Sequence, residues 1–250
     1  MPREAPPDAF GRTAREYELG RPGWPEELLD RVVSELGLSA DAAVLDLGAG
    51  TGKLTRSLVP RFTRVVAVEP DGAMLEVLEE VVLGAEALAG RGEAIPLEDG
   101  SVDAVFTGEA FHWFAGPESV VEIARVLRPR GPLVILWNIP VEYPHMGDEA
   151  EAVIEAAFAR GGEPGLGKVL SGAWKRPVED GPFEPLRETE VERWLVNSRD
   201  EWIANMLSVS SIATQPDEDR AAFAEQLREL IPEQEIRRRF RTIAHWTRRD

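Results

Sequence analysis

Up to about Asn138 the chain alternates between two hydrophobic patterns. Short apolar runs at Ala43–Leu47 (AVLDL), Arg64–Glu69 (RVVAVE), Ser101–Thr107 (SVDAVFT) and Gly131–Asn138 (GPLVILWN) predict strands covered on both faces. A weaker run predicts a further strand over Ala87–Gly92. Between these runs apolar residues recur at helical spacing, first as Leu28, Leu29, Val32, Val33 and Leu36, then as Met74, Leu75, Leu78, Val81 and Val82. Pro25 suits the first turn of the earlier helix and Gly37 its end, while Asp71 can cap the later one. Pro117–Leu127 also reads as helix, and so does the charged stretch near Thr13–Tyr17. Strands alternating with helices predict an α/β fold, a doubly wound and mostly parallel sheet with helices on both faces.

After Asn138 the rhythm changes. Asp148–Arg160 predicts an Ala-rich helix, and residues 161–187, dense in Gly and Pro, predict loops. A strand over Glu188–Asn197, helices over Arg199–Ser208 and Asp217–Ile231, and a last strand over Glu235–Arg248 complete the reading. The sheet then has seven strands and an added helical cap. We divide the chain into an N-terminal helical segment and lid (1–40), a core (41–138), cap insertions with a sheet strand near 188–197 (139–235), and the last strand (236–250).

Charge and composition narrow the chemistry. The 250 residues carry a formal net charge of −17, with 45 acids against 28 bases. Such a surface repels a phosphate backbone and argues against a nucleic-acid partner. There are no cysteines, and no His/Asp/Glu cluster has metal-ligand spacing, so no metal is expected. No apolar leader opens the sequence and no run has membrane-spanning length, so a cytoplasmic protein is expected, without membrane contact. Oligomeric state is not written in the sequence. Arg237, Arg238, Arg239 and Arg241 form a dense basic run, which predicts a solvated face on a protected sheet edge.

The chemistry centres on Asp46-Leu47-Gly48-Ala49-Gly50-Thr51-Gly52, between the first strong strand and a helix over Lys53–Leu58. A glycine loop in that place is where open α/β sheets bind nucleotide-like ligands. The dinucleotide fingerprint requires a glycine at the sixth position from Gly48, which is Lys53. The phosphate-binding P-loop requires a glycine where Leu47 stands and Ser or Thr where Leu54 stands. Both motifs fail. Glu69 closes the second strand, placed to accept hydrogen bonds from ribose hydroxyls. Gly108-Glu109-Ala110-Phe111-His112-Trp113-Phe114 follows a later strand at the same sheet edge and offers an apolar pocket with one imidazole.

The loop resembles the first motif of the class I, Rossmann-like S-adenosylmethionine-dependent methyltransferases, and the segments above fit that family at matching distances. The tail, with Trp194, Trp202 and Ser208–Ala213, is similar to small-molecule methyltransferases related to the trans-aconitate type. The resemblance implies S-adenosylmethionine as donor, S-adenosylhomocysteine as product, and a small-molecule acceptor with a carboxylate, hydroxyl or amine. It implies a donor site made of Gly48, Ala49, Gly50, Thr51 and Gly52, of Glu69 on the ribose, and of Pro70 and Met74 against the adenine. Arg91 stands where the family often has Asp or Asn, so the adenine is read by Gly92 and Glu93 backbone groups or stacked on Arg91. Tyr17 and Arg21 are implied to cover the methionine end, with Arg21 on its carboxylate and Asp46 near its ammonium. Glu109 and Ala110 adjoin the transferable methyl. Trp24, Phe111, His112 and Trp113 are implied to face the acceptor, with His112 a base or a positioning group. A non-catalytic protein that binds the same cofactor remains the alternative.

Overall fold

The computed structural model describes residues 11–161 and 165–250; the sequence reading of residues 1–10 lies outside them. Seven strands form one sheet: β1 (Ala43–Leu47), β2 (Arg64–Glu69), β3 (Ala85–Ala89), β4 (Ala104–Gly108), β5 (Pro132–Glu142), β6 (Arg187–Asn197) and β7 (Ile236–Arg248). Their spatial order is β3-β2-β1-β4-β5-β7-β6. The first five pair in parallel, and β7 runs antiparallel to both β5 and β6. The helices are α1 (Ala14–Gly20), α2 (Glu26–Leu36), α3 (Lys53–Leu58), α4 (Gly72–Val81), α5 (Pro117–Val126), α6 (Asp148–Arg160), α7 (Gly165–Leu170), α8 (Lys175–Glu179), α9 (Arg199–Leu207), α10 (Ser210–Ala213) and α11 (Asp217–Leu230). This is the α/β, seven-stranded, mostly parallel sheet that the alternating pattern predicts.

Strand pleating sends alternate residues to two cores. Leu45, Val105, Ile135 and Trp137 pack with α5 through Val120 and Ile123. Val44, Phe106, Val134 and Leu136 pack on the other face against Leu28, Leu29 and Val32 of α2 and Leu54 and Leu58 of α3. Each such side chain contributes roughly 1.5–3 kcal/mol on burial. Asp103 belongs to this framework: its Oδ2 accepts the Ala43 N–H at 2.8 Å and its Oδ1 pairs with Arg128. A third apolar cluster lies in the cap, where Trp202, Ile203 and Met206 of α9 meet Ala150 and Ala157 of α6 and Phe223 and Leu227 of α11.

Three expectations change. The third strand covers Ala85–Ala89 rather than Ala87–Gly92, because the chain turns at Gly90, whose N–H bonds the Glu69 carbonyl, and Arg91 bridges back to Ala94. That strand is a half-exposed sheet edge, so its apolar signal is weak. The stretch read as loops holds two short helices, α7 and α8, stabilised where Val169, Trp174 and Val178 are buried against the sheet. The arginine run is not on an edge: β6 pairs outside β7, so β7 is internal. Its pleat turns Arg237 out to solvent and Arg238 inward with Ile236 and Phe240. Arg239 and Arg241 pair across the strands with Glu142, Glu192 and Glu190.

Candidate active site

β1 and β2 end side by side, and the glycine loop leaves β1 there. Gly48, Gly50 and Gly52 take φ of 72°, 57° and 82°, the left-handed region that side chains with a Cβ rarely adopt. The loop is tied to its neighbours. Gly48 and Ala49 donate backbone hydrogen bonds to the Val68 carbonyl, and Gly50 donates to Glu69 Oε2 at 2.8 Å. Glu69 Oε1 accepts the Asp71 N–H at 3.0 Å, and Asp71 caps α4 by accepting from Ala73 and Met74.

The N-terminal segment closes over this loop. Thr51 donates to Glu18 of α1 at 2.7 Å, and the Gly11 N–H donates to Asp71 at 2.8 Å. Gly20 ends α1 so close to α9 that a Cβ there would stand 2.1 Å from the Asn205 nitrogen. Arg21 then reaches across, with Nε on Ser208 Oγ and Nη2 on the Ser208 carbonyl, both at 2.9 Å. Helix α1 thus joins the glycine loop to the cap.

The result is one cavity of about 960 Å³ between the sheet's C-terminal edge and the cap. Its walls include Tyr17, Arg21, Asp46, Gly48, Ala49, Gly50, Glu69, Pro70, Met74, Arg91, Gly92, Glu93, Glu109 and Ala110. It also takes in Trp24, whose ring lies over Gly108, together with His112 and Trp113. Most of the residues chosen from sequence are therefore brought to one place. Three are not on its wall. Thr51 and Gly52 shape the loop from behind, Thr51 through Glu18 and Gly52 as the N-cap of α3. Phe111 is fully buried and turned into the core, edge-on to Phe114 and Trp174, so it does not face an acceptor.

Charge is distributed unevenly around the cavity. Asp46 is fully buried; Oδ2 accepts the Thr55 hydroxyl at 2.6 Å, and Oδ1 has no partner among the described residues. Burial pushes Asp46, Glu69 and Glu109 up to about 7. Glu109 holds the Asn138 N–H and sits at φ 58°, a strained conformation for a residue with a side chain. An orphaned carboxylate oxygen beside a glycine cradle suits a cationic ammonium, and in that respect the residues present fit a methionine-type donor. Burial, aided by Lys168 and Arg21, pulls His112 down to about 3, so its imidazole is neutral at physiological pH. Tyr17 is pushed up to about 12, first by burial.

The cap supplies walls that sequence reasoning did not select: Tyr143, Ile154, Phe158, Leu166, Met206 and Val209, with Arg238 and Phe240 from β7. Trp202, noted in the sequence for its likeness alone, lies among them. The period-two alternation of Ile236, Arg238 and Phe240 is the signal by which Arg238 was legible. The cap helices carry no comparable mark. His145 lies apart at the surface near Asp148 and Glu151, and His245 is buried against Trp174 and Glu188.

Residues 45–135 match the family model of the methyltransferase domain. An uncharacterised methyltransferase of Mycobacterium tuberculosis is 48% identical over 130 residues, covering 52% of each chain. One of Schizosaccharomyces pombe is 40% identical over 135 residues, covering 52% of this chain and 54% of its own. The matched stretch thus spans about half the length of these relatives. Among solved structures, a candidate type II methyltransferase of Anaeromyxobacter dehalogenans shares the fold, with a TM-score of 0.61 at 23% identity, over 91% of this chain and 97% of that one. Residues 45–135 are thus similar to a methyltransferase domain, and the chain shares the α/β, Rossmann-like fold of the solved structure. The trans-aconitate subtype is not singled out by these relatives.

Proposed function

We propose that the protein transfers a methyl group from S-adenosylmethionine to a small-molecule acceptor held under the cap. The observation that carries this reading is the single cavity that joins the Gly48–Gly50 loop, Asp46 and Glu69 to the apolar cap wall. When bound, S-adenosylmethionine supplies an electrophilic methyl on a sulfonium, which an acceptor nucleophile attacks in line.

The chain's own residues do the rest by holding and drying. Glu69 receives the ribose hydroxyls on lone pairs that its two backbone donors leave open. Asp46 Oδ1 takes the ammonium. The inner Arg21 donors are occupied by Ser208, so the carboxylate is met by Nη1 and the outer Nη2 hydrogen. Pro70 and Met74 cover the adenine beside Arg91, Gly92 and Glu93. Trp24, Trp113 and the cap exclude water, and neutral His112 orients the acceptor. Alignment of two reactants is worth roughly 7–11 kcal/mol, so the reaction needs no strong base from the protein.

Calorimetry with S-adenosylmethionine, S-adenosylhomocysteine and NAD tests the reading. The first two are expected to bind and NAD is not. Binding of NAD alone would overturn it, and donor binding without turnover on any acceptor would favour the non-catalytic alternative.

A further inference from the structure

Two guanidiniums line the cavity, Arg21 towards the donor end and Arg238 towards the cap, and no ion pair joins either to a carboxylate among the described residues; Glu109 and Glu201 act on them only from farther off. Arg238 is 4% exposed. Its Nε and Nη2 both donate to Asn197 Oδ1, Nη1 donates to Asn205 Oδ1, and Nη2 also reaches the Gly20 carbonyl. Every one of those partners is neutral. Arg21 is held by the hydroxyl and carbonyl of Ser208, also neutral. The acids on the cavity wall are accounted for elsewhere. Asp46, Glu69, Asp71 and Glu109 hold partners at the glycine-loop end, where Glu93 also lies, Glu142 is paired with Arg239, and Glu151 accepts the Met146 N–H.

A buried charge without an opposite charge is costly, and Arg238 keeps its own through neutral hydrogen bonds on a cavity wall where an anion would offset that cost. Burial and the neighbouring Arg21 already pull Arg238 down to about 10. The donor brings one carboxylate, which suits Arg21. The second cation has no role in donor binding. Most of the Arg238 donors are already engaged, which leaves an Nη1 hydrogen. One hydrogen can serve one oxygen of a singly charged carboxylate, whereas a phosphate would leave more oxygens and more charge without donors. Beside Asn205, Ser210 and the engaged Glu142 and Glu151, the cap half offers an apolar surface of Trp202, Met206, Ile154, Phe158 and Phe240.

We propose that the acceptor is an organic acid with an apolar body, its carboxylate anchored by Arg238 and its body on the α6 and α9 wall. This rests on the methyltransferase reading and names the substrate class for that site. Arg238 is then a specificity-determining residue, and the carboxylate is the anchor that aims the rest of the acceptor at the donor.

The test uses 3-phenylpropionate and hexanoate, each against its primary amide, titrated into the full chain saturated with S-adenosylhomocysteine. The acids are expected to bind at least about tenfold more tightly than the amides, as a charge-assisted contact requires. Arg238→Gln should remove that preference and Arg238→Lys should keep part of it. Asn205→Asp sets an acid on the guanidinium and keeps it paired, so it should also abolish the preference even if Arg238→Gln fails to fold. Equal binding of acids and amides, no binding by either acid, or a preference that survives Asn205→Asp would overturn the proposal while leaving the donor site intact. Failure of S-adenosylhomocysteine itself to bind would overturn the methyltransferase reading, and this proposal with it.

Discussion

Glu69 Oε2 accepts the Gly50 N–H at 2.8 Å, across a sequence separation of 19 residues. One carboxylate therefore shapes the glycine loop and offers acceptors to a ligand lying on it. The two duties make it the most informative residue to change. Glu69→Ala is expected to weaken S-adenosylmethionine by roughly tenfold or more, since hydrogen bonds to an ionised acceptor are each worth about 1.5–3 kcal/mol. Calorimetry reads this directly, and an unchanged affinity would remove Glu69 from the site.

Donor binding should depend on pH. Burial raises Asp46, Glu69 and Glu109 to about 7 from ordinary values near 4, so at neutral pH they are partly protonated. A cationic ligand favours their charged forms and expels those protons. Affinity for S-adenosylmethionine should then tighten by roughly an order of magnitude between about pH 5.5 and 8. The free protein should show the opposite trend. Groups raised on folding contribute stability that is complete below their unfolded values and is lost as pH rises towards 7. Melting curves with and without ligand across that window separate the two effects.

The glycines of the loop should divide by function. A Cβ on Gly52 would stand 2.6 Å from Val82 and 2.9 Å from Leu78, at φ 82°. Gly52→Ala should cost about 2–5 kcal/mol in denaturant unfolding, from left-handed backbone strain plus overpacking. A Cβ on Gly50 meets nothing closer than 3.9 Å and points to the cavity side, near Met74 and Tyr17. Gly50→Ala should lose less stability and more donor affinity. Equal losses in both variants would deny the division.

His112 should not titrate in the working range. Its ring stays neutral down to about 3 because of burial, Lys168 and Arg21. A kcat/KM profile is expected to keep its shape between about pH 5 and 8 when His112 becomes Gln, with turnover lowered by less than about tenfold. A limb near pH 6.5 that vanishes in His112→Gln would restore the base role.

Much of the fold was legible in the chain. Short apolar runs, helical spacing, Asp71 and Gly37 are local signals, and the structure keeps them in place. The glycine spacing likewise separated the Gly48–Gly52 loop from two other ligand motifs, because backbone conformation at three consecutive alternate positions is a local property. The glycine-loop side of the cavity was readable for the same reason: strand ends and their loops converge on one sheet edge.

Other features exist only through long-range placement. Phe111 shares a run with His112 and Trp113, yet its short helical turn sends it to the core and them to the cavity. The arginine run reads as a charged edge until β6 pairs outside β7 and the pleat selects Arg238 for the interior. The cap side of the cavity is drawn from α6, α7, α9 and β7, far apart in the chain and without a shared pattern. The sequence by itself determined the strand-loop-helix unit with its glycine cradle, because hydrophobic period and glycine conformation act over a few residues. Tertiary structure alone decided which charges would be buried without partners, because that depends on which distant elements pack together.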